Sequence, residues 1–360
     1  WRMSHTPDYA TTTMVVMSPY VSPLMNTHGA QPAPPDQADP TRQATDGVAW
    51  HYGNPFGEQR AALTLVDRSN RTILTVTGDD RETFLTTLLS KIITPGALMA
   101  LDLDANGRVQ HAMDVAVTDD AVYLIVPPHE AETLRDYLVS MIFWSKVKIE
   151  VSPLKLVTVF GEHAPLTAAF RRVVEGQPLR TDYGVTDVSA AADAIISQSG
   201  QLAGLMCFEA YRVARAEPDH PADCDARTIP HEVGLWLDQA VDLEKGCYRG
   251  QETVARVENL GRAPRGLALL LLDGSVPDLP RLGDPVTLDG RKVGTLGTVV
   301  HHFELGPIAL ATIKSSALER SGEFMAGECA MNVDKHSLPR PSSGAGRQAI
   351  NQLKDPKPQA

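Results

Sequence analysis

A chain of 360 residues is long enough to bury two or three cores, and 43% hydrophobic with 21% charged residues is the composition of an ordinary globular protein. A formal net charge of −11 argues against a broad phosphate-binding surface, and so against direct nucleic-acid binding, while leaving room for a local basic pocket. The four cysteines, Cys207, Cys224, Cys247 and Cys329, lie far apart and form no C-x-x-C, which fits a reducing cytoplasm and offers neither a disulfide framework nor a zinc or iron–sulfur ligand set.

The chain opens on Trp1 rather than Met, with Met3, Met14, Met17 and Met25 as alternative initiators if the start is truncated or miscalled. Residues 1–46 are rich in Pro, Thr, Ser and Gln, lack periodicity, and are expected to be a disordered tail. Arg2 followed by polar sequence does not make a secretory leader. Order is expected from near Trp50. Residues 71–77 alternate and are β-branched, which reads as a strand. Gly78 ends it, and Asp79 with Glu82 three residues later suggests a capping box opening a helix whose apolar face carries Phe84, Leu85, Leu88, Leu89 and Ile92. Asp102-Leu103-Asp104-Ala105-Asn106-Gly107 copies half of a calcium loop, but the twelfth position is Met113 where a glutamate is needed. Asn106-Gly107 between strand-like flanks is instead a hairpin signal.

Residues 121–126, 147–151 and 156–160 read as further strands, and Leu134, Tyr137, Leu138, Met141 and Ile142 as the stripe of a helix between them. Residues 202–213 read as either helix or strand. From Arg265 the pattern shifts to short strands at 267–272, 285–288, 293–300 and 308–313 separated by turns, as in a small antiparallel barrel. The longest apolar run, 267–272, is strand-sized, so no membrane span is expected. His301 and His302 are neighbours on a strand and point to opposite faces, so they do not converge on one metal. Dinucleotide, Walker and G-x-S-x-G motifs are absent. Residues 337–360 read as a second disordered tail.

The densest chemistry is Lys245-Gly246-Cys247-Tyr248-Arg249-Gly250-Gln251-Glu252. Its glycines permit positive φ or close backbone approach. Lys245 and Arg249 flank the thiol and favour its thiolate. Gln251 and Glu252 offer donors and acceptors to a flat amide-like heterocycle. Cys247 either reacts as a thiolate or packs under the turn as a small hydrophobe.

This octamer resembles the signature of the YgfZ family of folate-binding proteins, relatives of the glycine-cleavage T-protein (aminomethyltransferase). Arg227-Thr228-Ile229-Pro230-His231-Glu232-Val233-Gly234 upstream, Thr253-Val254-Ala255-Arg256 with Asn259-Leu260-Gly261 downstream, and Trp50-His51-Tyr52-Gly53-Asn54-Pro55-Phe56-Gly57-Glu58-Gln59-Arg60 near the start resemble its actinobacterial branch. The resemblance implies an α+β fold: a T-protein-like folate-binding domain of two related α+β halves at 47–264, then a small C-terminal antiparallel β-barrel at 265–336. It implies tetrahydrofolate as cofactor and Cys247 and Lys245 as the chemical centre. Tyr248, Arg249, Gly250, Gln251, Glu252, Arg256 and Arg212 would surround the cofactor. Lys245 would meet an anionic substituent such as a glutamyl tail, or merely bias the thiol; Tyr248 would stack on the ligand or anchor the turn. The implied role is a cytoplasmic accessory factor for iron–sulfur cluster assembly or repair, with iron–sulfur proteins as partners. One-carbon transfer and a non-catalytic scaffold are the alternatives.

Two departures bear on activity. T-proteins carry an acid after the first hairpin; here His111 and Ala112 stand about there, and Asp114 lies two or three residues late. The pterin-gripping glutamate of the family's Arg-x-Glu-Ala-Gly segment corresponds to Ala214, which shifts that role to another acid such as Glu209 or weakens binding. Both departures count against aminomethyl transfer.

Overall fold

The structure, a computed structural model, describes residues 20–33, 47–176, 178–320 and 322–340; the other residues of the stretches read as tails lie outside them. Residues 20–33 correct part of the disordered-tail expectation. Ser22 Oγ accepts from Leu24 N (3.1 Å) and starts a turn at Pro23–Asn26, which buries Leu24 against Leu65, Val157 and Ile195. Gln31 then bridges to His51. A single buried leucine in a Pro- and Thr-rich stretch has no periodicity to reveal it.

Helix α1 (Pro55–Arg60) leads into strands β1 (Thr64–Asp67) and β2 (Thr72–Thr77) and helix α2 (Arg81–Leu88). The expected capping box does not form: Asp80 holds the N-cap position, and its carboxylate accepts from Lys146 N (2.7 Å) instead. Strands β3 (Met99–Leu103) and β4 (Val109–Val117) make the expected hairpin. Asp104 Oδ1 accepts from Asn106 N and Arg108 N, both at 2.8 Å, so the calcium-like oxygens are used to close the turn. Strand β5 (Ala121–Val126), helix α3 (Pro128–Ser140) and strand β6 (Lys148–Val151) complete the first half. Pro128 begins α3, where its missing N–H costs nothing. The antiparallel sheet runs β3-β4-β5-β2-β6, and Phe84, Leu85, Leu134 and Leu138 from α2 and α3 cover it.

The second half contains β7 (Lys155–Phe160), β8 (Phe170–Val174), β9 (Arg180–Val185), α4 (Val188–Ile196), β10 (Gln201–Ala203) and α5 (Leu205–Ala214). Its order is β10-β1-β7-β9-β8, so β1 crosses from the start of the chain into the later sheet. The ambiguous 202–213 stretch divides at Gly204. A Cβ there would meet Trp50 O at 2.2 Å, so strand gives way to helix at a point of backbone contact. Ile73, Ala116 and Ile125 of the first sheet pack on Leu156 and Phe170 of the second.

Helices α6 (Gly234–Gln239) and α7 (Gln251–Leu260) lead to the barrel. Its elements are β11 (Arg265–Leu272), β12 (Pro285–Leu288), β13 (Arg291–His302), β14 (Gly306–Lys314), α8 (Ser315–Leu318), β15 (Phe324–Ala326) and β16 (Cys329–Asp334). The strands close in the order β11-β14-β13-β12-β15-β16, all antiparallel. The α+β body and the barrel are therefore as expected. No helix among the described residues is long and apolar enough to cross a membrane.

Candidate functional site

The 245–250 loop is docked on the β3–β4 hairpin. Gly250 has φ +83°, and a Cβ on it would meet Asp104 O at 2.6 Å, so a side chain is excluded both by conformation and by contact. Lys245 is buried, with Nζ donating to Thr86 O (2.5 Å) and Leu89 O (2.6 Å) at the C-terminal end of α2 and standing 4.6 Å from the centre of the Tyr248 ring. Burial lowers the pKa of this ammonium, whose head is committed to helix-end carbonyls. Tyr248 takes the anchoring alternative: it is buried with Met99, Trp236 and Val254, and burial pushes its phenol up to about 12.

Arg249 Nη2 donates to Asp102 Oδ1 (2.9 Å) and its Nε to Leu103 O, while the guanidinium lies over Tyr137. Gln251 Nε2 donates to Lys245 O (3.1 Å) and closes the loop. Glu252 and Arg256 pair at 2.8 Å along the exposed face of α7. Cys247 is exposed, and both flanking cations aim their head groups at other partners.

A small half-open pocket of about 50 Å³ lies at the junction of the two sheets and α5, within about 480 Å³ of empty space that includes open solvent. Asp114 of β4, Ile125 of β5, Phe208 and Arg212 of α5, and Trp236 of α6 all contribute walls. Of the residues expected to form the site, Arg212 alone lines this cavity. Its guanidinium donates to Glu209 (3.0 and 2.5 Å), Asp223 (2.7 Å) and Thr298 (2.6 Å), which ties α5 to the barrel. Glu209, considered as a substitute for the lost glutamate, is thus engaged by Arg212. Asp114 reaches the cavity although it lies late in sequence, and Glu217, three residues beyond Ala214, lines it as well.

Behind these acids lies a buried ionic network. Arg172 donates to Asp182 (2.5 Å) and Asp114 (2.7 Å), and Arg180 to Asp182 (2.9 Å) and Glu217 (2.8 Å). Burial alone would raise the Asp182 pKa, but Arg180, Arg172 and Arg68 outweigh it and hold the carboxyl well below the usual range. Arg68, also on the cavity wall, is less well matched. It donates to Thr158 Oγ1 (3.3 Å), lies 3.7 Å from Asp182 and rests over Phe208. Burial, reinforced by Arg180, pushes its pKa down to about 9, which marks a guanidinium short of negative charge. Sequence reasoning missed Arg68, Arg172, Arg180 and Asp182. Their one local signal is the i, i+2 spacing of Arg180 and Asp182, which puts both on the same face of β9.

No family model matches the chain. It is 24% identical to the tRNA-modifying protein YgfZ of Photobacterium profundum over 73% of this chain and 86% of that protein. It is 25% identical to the YgfZ of Escherichia coli O17:K52:H18, over 79% and 95%. A chloroplastic protein of Arabidopsis thaliana is 26% identical over 78% and 74%. Among solved structures, the glycine cleavage system aminomethyltransferase T from Bartonella henselae matches with a TM-score of 0.70 at 14% identity, over 86% of this chain and 94% of that one. That likeness is one of fold.

Proposed function

Because the chain is a YgfZ-like protein on the fold of aminomethyltransferase T, we propose that it binds tetrahydrofolate in the central cavity and acts as a cytoplasmic accessory factor for the assembly or repair of iron–sulfur clusters. The clients would be cluster-dependent enzymes, tRNA-modifying ones among them. The observation that carries the folate reading is the pocket: both halves wall it, Phe208 and Trp236 offer it flat rings beside the apolar Met99 and Ile125, and Arg68 has its nearest anion, Asp182, only at 3.7 Å. A folate supplies a planar ring for the first and carboxylates for the second. The exposed Cys247 is then a thiol for a protein partner, outside the cavity.

Calorimetric titration of the full chain with tetrahydrofolate tests the reading. Stoichiometric binding is expected, and Arg68→Met should weaken it about tenfold, the loss of one charge-assisted contact. No binding by the wild type would leave the scaffold alternative. A second reading, folate-dependent one-carbon transfer, is favoured by Asp114 reaching the cavity. It requires turnover of a methyl or aminomethyl donor with tetrahydrofolate, and loss of that turnover in Asp114→Asn.

A further inference from the structure

The sheet of the first half ends at β6, which pairs with β2 and with no further strand among the described residues. Ser152 N donates to Ile73 O across this pair (2.8 Å). Backbone groups alternate in direction along a strand, so those of Lys148 and Glu150 also face β2, while the N–H and C=O of Ile149 and Val151 face outward along an open edge. Such an edge is a template for one more strand. Immediately before β6 the chain exposes Phe143 and Trp144, 72% and 95% accessible, and Val139 near the end of α3 is exposed as well. Large apolar side chains left in water beside an open edge mark a surface that a partner covers.

The charges on β6 identify that partner. Lys148 and Glu150 are exposed, lie two residues apart on one face, and pair with each other at 2.8 Å. A lysine on an edge ordinarily discourages pairing. Here the two signs are placed so that the strand matches itself. When two copies of β6 meet antiparallel with Ile149 opposite Ile149, each Lys148 faces the partner's Glu150 in a non-hydrogen-bonded position, where Cα atoms approach to about 4.5 Å. Sliding the copies by two residues, the next register that keeps the outward groups opposed, sets Lys148 against Lys148 or Glu150 against Glu150. One register is thus selected. We propose that this surface binds a second copy of the chain: β6 pairs with β6 about a two-fold axis between the two Ile149 residues, the two first-half sheets join into one antiparallel sheet, and Phe143 and Trp144 are covered at the head of the edge.

Sedimentation equilibrium of the full chain from about 1 to about 100 μM reads the assembly, a range suited to the weak dimer that a short edge forms. The wild type should pass from monomer to dimer. Lys148→Glu opposes Glu to Glu and Glu150→Lys opposes Lys to Lys, so each should weaken self-association about tenfold. Mixed together, these two variants should form a heterodimer, and the double exchange Lys148→Glu/Glu150→Lys should restore the homodimer. Phe143→Ser/Trp144→Ser should weaken the dimer about tenfold as well. All four side chains are exposed, so the variants should keep the wild-type Tm, which separates loss of pairing from loss of fold. A wild type that stays monomeric over the whole range overturns the proposal and leaves the edge to a different protein. So does a dimer that ignores the single charge reversals, that the double exchange fails to restore, or that survives loss of both aromatic rings undiminished.

Discussion

Asp182 is the residue on which the cavity's charged wall depends. Its carboxylate is inaccessible to solvent, receives hydrogen bonds from Arg172 and Arg180, and lies 3.7 Å from Arg68. Removing one member of such a network leaves buried guanidiniums uncompensated. Asp182→Asn should therefore cost about 3–5 kcal/mol in denaturant titration. The folded pKa lies below that of the unfolded chain, so this stabilisation is present above the unfolded value, about pH 4, and is lost as pH falls through the folded one. The wild type should lose stability on acidification below about pH 4, and the variant should show a shallower slope over that interval. Arg68 is held more loosely, 3.7 Å from Asp182 and 3.3 Å from Thr158 Oγ1, and its fuller use is expected in the ligand complex. None of these partnerships is legible in sequence, because Arg68 and Asp182 meet only when β1 and β9 flank β7 in one sheet.

At the scale of elements, the signature loop and the first hairpin form one docked unit. Gly250 sits against Asp104 O, Arg249 grips Asp102 and Leu103, and Lys245 closes the end of α2. The two glycines of the loop differ in what they support. Gly250→Ala should destabilise by about 1–3 kcal/mol, since it forces a left-handed conformation and a clash together. Gly246 has no atom within 4 Å of a prospective Cβ, and Gly246→Ala should stay within about 1 kcal/mol of the wild type. Paired thermal or urea unfolding curves decide between them. The hairpin itself was readable from Asn106-Gly107. The task of Lys245 was not, because its acceptor at Leu89 is 156 residues away in sequence.

For the molecule as a whole, the pocket is walled by both sheets and α5 and open to solvent at its mouth, and α5 is fastened to the barrel through Arg212 and Thr298. A ligand there stabilises the assembled body. Tetrahydrofolate at about 100 times its Kd should add roughly 2.7 kcal/mol, visible as a rise in Tm. Cys247→Ala should show the same rise, since the thiol lies at the surface and lines no part of that cavity. In a deletion strain the same variant should lower the activity of a cluster-dependent enzyme; undiminished activity would remove the thiol from the mechanism.

Sequence alone determined the elements with strong local periodicity and the family signature: the strand expected at 71–77 and found at Thr72–Thr77, the β3–β4 hairpin, the α+β body and the onset of a barrel at Arg265. It also identified Lys245, Cys247 and Tyr248 as unusual neighbours, because a rare octamer is visible without coordinates. Tertiary structure decided what each of them does. The polar heads of Lys245, Arg249 and Gln251 are taken up by backbone and side-chain partners, Tyr248 is core, and Cys247 alone of the three faces outward. It also placed the cavity among Arg68, Asp114, His220 and Trp236, drawn from β1's end, β4, the chain after α5 and α6. The reason is physical: propensity and alternation act over a few residues, whereas burial of charge and the loss of a hydrogen-bond partner are properties of surfaces that meet only in the folded chain.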